Sequence, residues 1–301
     1  LAGNSSQPFS TSIILDTTAP SIGSLIMPAM INGAAAANVA FNGATIGVED
    51  GQLVNVNVGT ATQTAVVSDG EFAGEIDLSQ VSDTSNLLVR ANVSDAAGNG
   101  SDDFLISVTL DTSAPVISVL NLSDAINGQM ASAVAFSGAT LGVENDQQVI
   151  VNIGGVEVAS QVTDGQFSGT IDLSSIEDTA TLSVTANVND LAGNASVTYT
   201  DLVVLDTTQP SITTLEIPET VNASVAARVA FHGTTQGVED GQGVTVNVGG
   251  VISTATVRQG EFSGTVNLLG VTDNNNLTIS ANVSDLAGNS AAQFLDSLIL
   301  D

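Results

Sequence analysis

Acidic residues recur along this sequence at one fixed spacing, and side chains of this type bind cations through their oxygens. Asp16, Asp111 and Asp206 each stand in the string Leu-Asp-Thr-Thr/Ser-x-Pro, and the sequence closes on Leu300-Asp301, the first two letters of the same string. The four aspartates lie 95 residues apart. Because Asp also favours turns, the alternative is that each position only ends a strand and starts a turn before proline.

Two further polar segments keep the same spacing. The first reads Gly-Val-Glu-Asp-Gly and contains Glu49 and Asp50, and the second reads Ser-Asp-Ala-Ala-Gly-Asn and contains Asp95 and Asn99. Ca²⁺ takes about six to eight oxygen ligands from carboxylates, Asn side chains and backbone carbonyls, and it accepts irregular loops. One histidine and no cysteine argue against zinc or copper. Mg²⁺ suits a many-oxygen protein cage less well.

The sequence therefore predicts at least one Ca²⁺ at each junction between repeats, held mainly by the linker Asp, the acidic pair and the Asp-to-Asn segment. The candidate ligands are Asp16, Glu49, Asp50, Asp95, Asn99, Asp111, Glu144, Asp146, Asp190, Asn194, Asp206, Glu239, Asp240, Asp285 and Asn289. In the second copy the acidic segment reads Glu144-Asn145-Asp146 and lacks the following Gly. We expect that site to bind differently or more weakly.

Turn formation is the alternative explanation for several of these residues. The segment from Asp95 to Asn99 is compatible with a hairpin in which Gly98 takes a positive φ and the Asp forms an Asx turn. Asp69-Gly70 and Asp164-Gly165 are typical hairpin turns. We therefore leave these two turns out of the predicted metal ligands.

The elements that must position these residues repeat with the same step. Phe41, Phe136 and Phe231 are 95 residues apart, and no insertion or deletion interrupts the register. A repeat of this kind indicates a tandem array of one structural unit. The predicted domains are residues 1–15, the last strand of a truncated preceding repeat, and three full repeats at 16–110, 111–205 and 206–301.

Apolar residues alternate with polar ones inside each repeat, which is the pattern of β-strands. Val54, Val56 and Val58, for example, alternate with Asn55 and Asn57. The predicted strands of the first repeat are 21–27, 38–45, 52–59, 61–68, 71–78, 86–94 and 103–110. Seven short strands in this length are typical of an immunoglobulin-like β-sandwich, with a cadherin or fibronectin type as the alternative. The predicted fold is all-β, with tandem sandwiches forming an elongated rod.

Strand order predicts which loops meet. If successive strands run in opposite directions, the loops after the second, fourth and sixth strands lie beside the incoming linker. The acidic pair and the Asp-to-Asn segment are two of these loops, so they should lie at one end with the linker Asp. Asp83 and Asp178 fall in the loop at the opposite end. We interpret them as solvated charges, with the alternative that they lend a carboxylate to the next junction.

Charge and composition exclude several classes of function. The sequence has 32 acidic residues against three basic ones, Arg90, Arg228 and Arg258, and a formal charge of −29. Such self-repulsion calls for screening by salt or for bound cations. It argues against nucleic-acid binding and against an anionic membrane surface. The one histidine cannot complete a Ser-His-Asp or Cys-His site in three equal copies. We therefore predict that the protein is not an enzyme.

The pairing of Asp-Thr-Thr-Ala-Pro at 16–20 with Ser-Asp-x-Ala-Gly-Asn at 94–99 resembles the bacterial Ig-like repeats of giant type I-secreted RTX adhesins and biofilm-associated proteins. The resemblance covers residues 1–301. It implies an extracellular extender, or stalk, on a bacterial surface, in which Ca²⁺ rigidifies the linkers. The third copy departs from the first motif at Gln209, where the other two have Ala19 and Ala114.

The expected function is a monomeric rod that projects a ligand-binding region away from the cell, with neighbouring repeats of the same chain as its partners. No run of apolar residues is long enough to insert into a membrane. The alternative is that the sandwiches themselves bind a glycan, or that they pair homophilically in a calcium-dependent, cadherin-like way. Sugar sites usually present aromatic side chains, and this sequence has no Trp and one Tyr.

Overall fold

The structure is a computed structural model that describes residues 3–301. It is all-β, and its strands form three two-sheet sandwiches of immunoglobulin-like topology. The first contains β1 (Ser21–Ile26), β2 (Met30–Ile31), β3 (Val39–Ile46), β4 (Leu53–Val58), β5 (Ala61–Val66), β6 (Glu71–Ile76), β7 (Thr84–Val93) and β8 (Phe104–Leu110). One sheet has the order β1-β3-β6 and the other β2-β8-β7-β4-β5. The described residues include no helix long and apolar enough to cross a membrane.

The second and third sandwiches repeat this order. The second contains β9 (Val116–Asn121), β10 (Ala125–Ile126), β11 (Val134–Leu141), β12 (Gln148–Ile153), β13 (Val156–Gln161), β14 (Gln166–Ile171), β15 (Thr179–Val188) and β16 (Tyr199–Leu205). The third contains β17 (Ser211–Glu216), β18 (Thr220–Val221), β19 (Val229–Gln236), β20 (Gly243–Val248), β21 (Val251–Thr256), β22 (Glu261–Val266), β23 (Asn274–Asn282) and β24 (Phe294–Leu300). Short 3₁₀ turns at Ala131–Ala133 and Ala226–Arg228 precede β11 and β19.

The seven strands predicted for the first repeat are confirmed, and an eighth is present. This strand, β2, has only two residues, and it pairs in parallel with the end of β8, Met30 opposite Thr109 and Ile31 opposite Leu110. A strand this short has no alternation of its own from which it could be predicted. The neighbouring pairs β7–β8 and β4–β7 are antiparallel, as the alternating strand directions required.

Each sandwich has its own hydrophobic core, built from the inward residues of the alternating pattern. Val54, Val56 and Val58 are fully buried in the first. The two core phenylalanines, Phe41 and Phe72, have ring centroids 6.5 Å apart. Phe72 lies over Gly43, where a Cβ would come 2.1 Å from the backbone oxygen of Ser24, so only glycine fits at that position.

Residues 3–20 contain no strand, so the strand predicted within residues 1–15 is not formed in the described part of that segment. Residues 1 and 2 lie outside the described residues. The segment has the alternation of β8 but no neighbouring strand to pair with. Phe9, Ile13 and Ile14 are accordingly exposed to 93%, 89% and 96%.

The described chain divides into two compact units. Unit one consists of the residues up to Val116 together with Asn189–Ser196, and unit two consists of Ile117–Val188 with Val197–Asp301. Unit one therefore contains the first sandwich, the linker at 111–115 and the loop that follows β15. Unit two contains the linker at 206–210 and the loop that follows β23.

Candidate calcium-binding loops and the linkers between repeats

The Asp-to-Asn segment after β7 is a tight, hydrogen-bonded loop. Asp95 is buried, and its Oδ1 accepts the backbone N–H of Asn99 at 2.8 Å. Its Oδ2 accepts Nδ2 of the same residue at 2.8 Å. Gly98 has a φ of 92°, as the hairpin alternative requires. The side-chain hydrogen bond from Asn99 is the main reason that the pKa of Asp95 lies below its usual range, against a smaller opposing effect of burial.

The same loop recurs after β15 and β23. Asp190 and Asp285 are 3% and 4% exposed, and each accepts the backbone N–H of the Asn four positions later at 2.8 Å. Asn194 and Asn289 are also buried, and their Nδ2 groups donate to the linker carbonyls of Asp111 and Asp206. The predicted meeting of this loop with the linker is therefore present within each unit.

The glutamate of the acidic pair joins two loops. Glu49 Oε2 accepts the backbone N–H of Ala96 at 2.9 Å, and Glu239 Oε2 accepts that of Leu286 at 2.7 Å. The loop after β3 thus contacts the loop after β7 at the linker end of the sandwich. These are the loops after the second and sixth predicted strands, so the strand order predicted their meeting. Both glutamates are exposed, so the carboxylates keep access to solvent and ions.

The aspartate of the acidic pair caps a hairpin turn. Asp50 Oδ1 accepts the backbone N–H of Asp69 at 2.8 Å, and Asp240 Oδ1 accepts that of Gln259. Asp69 and Gly70 have φ values of 54° and 78°, which confirms the hairpin turn predicted at this position. These carboxylates therefore hold a β-hairpin in addition to any role towards a cation.

The second copy arranges its acidic segment differently. Asn145 takes the capping role and accepts the backbone N–H of Asp164 at 2.7 Å. Asp146 occupies the position of Gly51 and keeps a positive φ of 74°. Its Oδ1 accepts Nε2 of Gln161 at 2.8 Å. Asp146 is thus directed to the end of β13, and the weaker or different binding expected of this copy stays a prediction.

The linker aspartates each form an Asx turn, in which Oδ1 accepts the backbone N–H two residues later. The pairs are Asp16 with Thr18 at 2.9 Å, Asp111 with Ser113 at 3.1 Å and Asp206 with Thr208 at 3.1 Å. The turn alternative for these positions is therefore present. It uses one carboxylate oxygen and leaves the other for further contacts.

Asp206, at the linker of unit two, is repelled by three other acidic side chains. Burial raises the pKa of Asp206, and repulsion from Asp285, Asp178 and Glu239 raises it further, against one lowering hydrogen bond from Thr208. The ion pairs in residues 3–301 are Arg90–Asp103 and His232–Glu216, so no basic side chain offsets this negative charge.

This repulsion is not accompanied by a coordination sphere in the described residues. Among residues 3–301, no three His, Cys, Asp or Glu side chains converge as a group that could hold a metal ion. The donors are nonetheless all oxygens, which suits Ca²⁺ in kind. The uncompensated charge around Asp206 is what a hard cation relieves. By donor chemistry and charge, the residues fit Ca²⁺.

Asp83 and Asp178, which we interpreted as solvated charges, bind the linkers. Asp83 accepts hydrogen bonds from the backbone N–H and the Oγ1 hydroxyl of Thr112, at 3.0 and 2.8 Å. It accepts a third from the Oγ hydroxyl of Ser113 at 2.7 Å. Burial opposes ionisation of Asp83, but these hydrogen bonds together outweigh it and lower its pKa. Sequence patterns missed this role, although the hydroxyl residues that follow each linker Asp were a usable signal.

Asp178 makes the same contacts in unit two. It accepts the backbone N–H and Oγ1 of Thr207, both at 2.8 Å, and the Oγ of Thr208 at 2.7 Å. Its pKa is likewise lowered, because the hydrogen bonds outweigh the opposing effect of burial. The loop before the seventh strand of one repeat is thus tied to the linker that leads out of it.

A groove of the first sandwich is one of several concave features of the described residues. It has a volume of about 630 Å³, and its ionisable lining residues are Asp69 and Glu71. Asp69 belongs to the hairpin turn described above. Both carboxylates are exposed to solvent.

No protein-family model and no curated protein matches this chain. Several solved structures are similar. One, described as a Ca²⁺-stabilized adhesin that helps an Antarctic bacterium reach out and bind ice, is 26% identical with a TM-score of 0.47, over 95% of this chain and 75% of that chain. A structure from a 1.5-MDa bacterial ice-binding adhesin is 22% identical with a TM-score of 0.44, over 95% and 99%.

A third similar structure is a tetra-tandem repeat in the extending region of a large adhesion protein. It is 24% identical with a TM-score of 0.30, over 93% of this chain and 73% of that chain. These three similarities are to bacterial adhesins or large adhesion proteins, the kind of protein that the motifs at 16–20 and 94–99 resemble.

Proposed function

We propose that this chain is an extender segment of a bacterial cell-surface adhesin, an extracellular and monomeric series of repeats that holds a ligand-binding region away from the cell. The repetition supports it most directly, because three sandwiches share one topology at one 95-residue step. The linkers at Asp111 and Asp206 also share one set of hydrogen bonds. A spacer needs equal modules joined in equal ways, and it involves no catalysis.

The second part of the proposal is that Ca²⁺ stiffens the linkers. The charge at the linker of unit two supports it. Burial is the main cause of the raised pKa of Asp206, and repulsion from Asp285, Asp178 and Glu239 raises that pKa further. No basic side chain of residues 3–301 forms an ion pair with any of the four. Ca²⁺, when bound, supplies the missing positive charge. The linker Asp, the loop glutamate and the buried loop Asp would hold it, at Asp206, Glu239 and Asp285 of the third copy and at Asp16, Glu49 and Asp95 of the first.

Calcium titration of the whole chain at low ionic strength tests this part. We expect Ca²⁺ to raise the melting temperature, and to increase the maximum dimension measured by small-angle scattering, relative to chelated protein. Mg²⁺ and an equal ionic strength of NaCl serve as controls, because simple screening acts for all three salts. Glu239→Gln should weaken the response, whereas Asp201→Asn, at an exposed position of β16, should not. Equal behaviour with and without Ca²⁺ would end the calcium proposal.

A further inference from the structure

Asn194 is buried at a point where three segments of unit one meet. Its Oδ1 accepts the backbone N–H of Gly33 at 2.8 Å. Its Nδ2 donates to the linker carbonyl of Asp111 at 2.9 Å and to Oδ2 of Asp190 at 2.8 Å. One carboxamide therefore joins the turn after β2, the linker and the loop after β15.

Asn289 repeats this arrangement in unit two. Its Oδ1 accepts the backbone N–H of Gly128 at 2.8 Å. Its Nδ2 donates to the carbonyl of Asp206 at 2.8 Å and to Oδ2 of Asp285 at 2.9 Å. Asn127, beside the glycine, adds a hydrogen bond from its own Nδ2 to the carbonyl of Ala287 at 3.3 Å.

The partners decide which way each carboxamide faces. The N–H of Gly33 can only donate, so it requires the oxygen of Asn194. The carbonyl of Asp111 and the carboxylate of Asp190 can only accept, so they require its nitrogen. The oxygen that a calcium ligand would present is thus already used by a backbone N–H. In this orientation Asn194 bridges three segments through hydrogen bonds.

Glycine at the receiving turn allows this close approach. A Cβ on Gly33 would lie 3.2 Å from the carbonyl oxygen of Thr112 and 3.3 Å from Oδ1 of Asn194. A Cβ on Gly128 would lie 3.1 Å from the carbonyl oxygen of Thr207. The third repeat has Ala223 at the matching position.

Asn99 provides an internal comparison. It donates Nδ2 to the carbonyl of Asp16 at 3.2 Å and to Asp95 at 2.8 Å, like its two counterparts. Among residues 3–301, no backbone N–H donates to its Oδ1. Asn99 is only half-buried, whereas Asn194 and Asn289 are 8% and 4% exposed.

We infer that the Asn-Gly turn after the second strand, together with Asp83 or Asp178, is a docking surface. It binds the linker and the Asp-to-Asn loop of a like repeat. Asn194 or Asn289 completes the contact through hydrogen bonds alone. Its partner is a chain segment with the pattern Asp-Thr-Ser/Thr followed by a buried Asp and Asn. This inference rests on the structural role proposed above and goes beyond it, because it requires no Ca²⁺.

Hydrogen exchange of the Gly33 amide in chelated full-length protein tests the inference. We expect the wild-type amide to be protected without Ca²⁺. Asn194→Ala removes the oxygen that accepts the Gly33 N–H. Asn194→Asp replaces both donated hydrogen bonds with repulsion from the carbonyl of Asp111 and the carboxylate of Asp190. The protection of the Gly33 amide should therefore fall about tenfold or more in each variant. Asn99→Asp makes the same change where no such N–H is bound, and it should leave Gly33 unchanged. Protection of the Val151 amide in β12 reports whether the second sandwich remains folded.

The substitution to aspartate also separates the bridge from a ligand role. If Asn194 served Ca²⁺, the added carboxylate would keep or strengthen the site, and Ca²⁺ would restore the protection of Gly33. The inference predicts that Ca²⁺ does not restore it. Free exchange of Gly33 in chelated wild-type protein would overturn the inference, as would wild-type protection of Asn194→Asp in Ca²⁺. Neither result depends on whether Ca²⁺ stabilises the wild-type chain.

Discussion

Replacing Asp178 with alanine removes three acceptor contacts to one linker, and the loss can be estimated from the structure. The contacts are to the backbone N–H and Oγ1 of Thr207 and to the Oγ of Thr208, at 2.7 to 2.8 Å. A hydrogen bond contributes about 0.5–1.5 kcal/mol net to stability. Asp178 is exposed, so the lower part of this range applies. We expect a loss of about 1–2 kcal/mol in the free energy of unfolding at neutral pH.

Urea denaturation of the whole chain measures this loss, and Asp273→Ala is the matched control. Asp273 stands at the same position in the third repeat, and it makes no hydrogen bond to a linker within residues 3–301. The control should therefore change stability by much less. Equal losses in the two variants would instead show that the aspartate stabilises its own loop and not the linker.

The pH dependence of the same difference has a definite sign. The pKa of Asp178 is lowered in the folded chain, so its ionised form is the one that folding stabilises. The contribution is complete above the unfolded pKa of about 3.9 and declines as the pH falls through the lower folded pKa. The stability difference between wild type and Asp178→Ala should therefore be constant near neutrality and shrink below about pH 4. A difference that grows on acidification would contradict this assignment.

Two further substitutions test individual backbone positions. Gly128→Ala places a Cβ 3.1 Å from the carbonyl oxygen of Thr207, so urea denaturation should show a loss of about 1 kcal/mol in the free energy of unfolding. The control Ala223→Gly should not show a comparable loss. An unchanged free energy of unfolding in Gly128→Ala would argue against close packing of that turn on the linker. Asp146→Gly relieves the backbone strain of a φ of 74° and removes one exposed hydrogen bond to Gln161. The free energy of unfolding should therefore rise by about 0.5 kcal/mol in the same assay. A fall would show that the hydrogen bond contributes more than the strain costs.

The sequence predicted the strands well because each has a strong local pattern. Alternation of apolar and polar residues determines which face is buried, and Val54, Val56 and Val58 are fully buried as that pattern requires. The two-residue β2 was missed because it is defined by its pairing with β8 and not by its own residues. The segment from Phe9 to Leu15 shows the converse, since the right pattern forms no strand without a neighbour.

The linker site was predicted in part. Strand order correctly brought Glu49 to the loop of Asp95, because loop position follows from the alternation of strand directions. The hydrogen bond from Gly33 to Asn194 joins residues 161 positions apart, in segments that lack an apolar-polar periodicity, so no local sequence pattern predicts it. A charged residue such as Asp83 on a loop is equally compatible with solvent and with a hydroxyl partner, and only the fold brings the partner near.

Isothermal titration with Ca²⁺, combined with thermal unfolding of the same chelated and loaded samples, tests the central claim most directly. A ligand present at a hundredfold excess over its Kd stabilises the folded state by about 2.7 kcal/mol per site. We expect saturable binding at the linkers and a higher melting temperature in Ca²⁺ than in Mg²⁺ at equal ionic strength. An absence of Ca²⁺ binding, with the same melting temperature in chelator and in Ca²⁺, would contradict it.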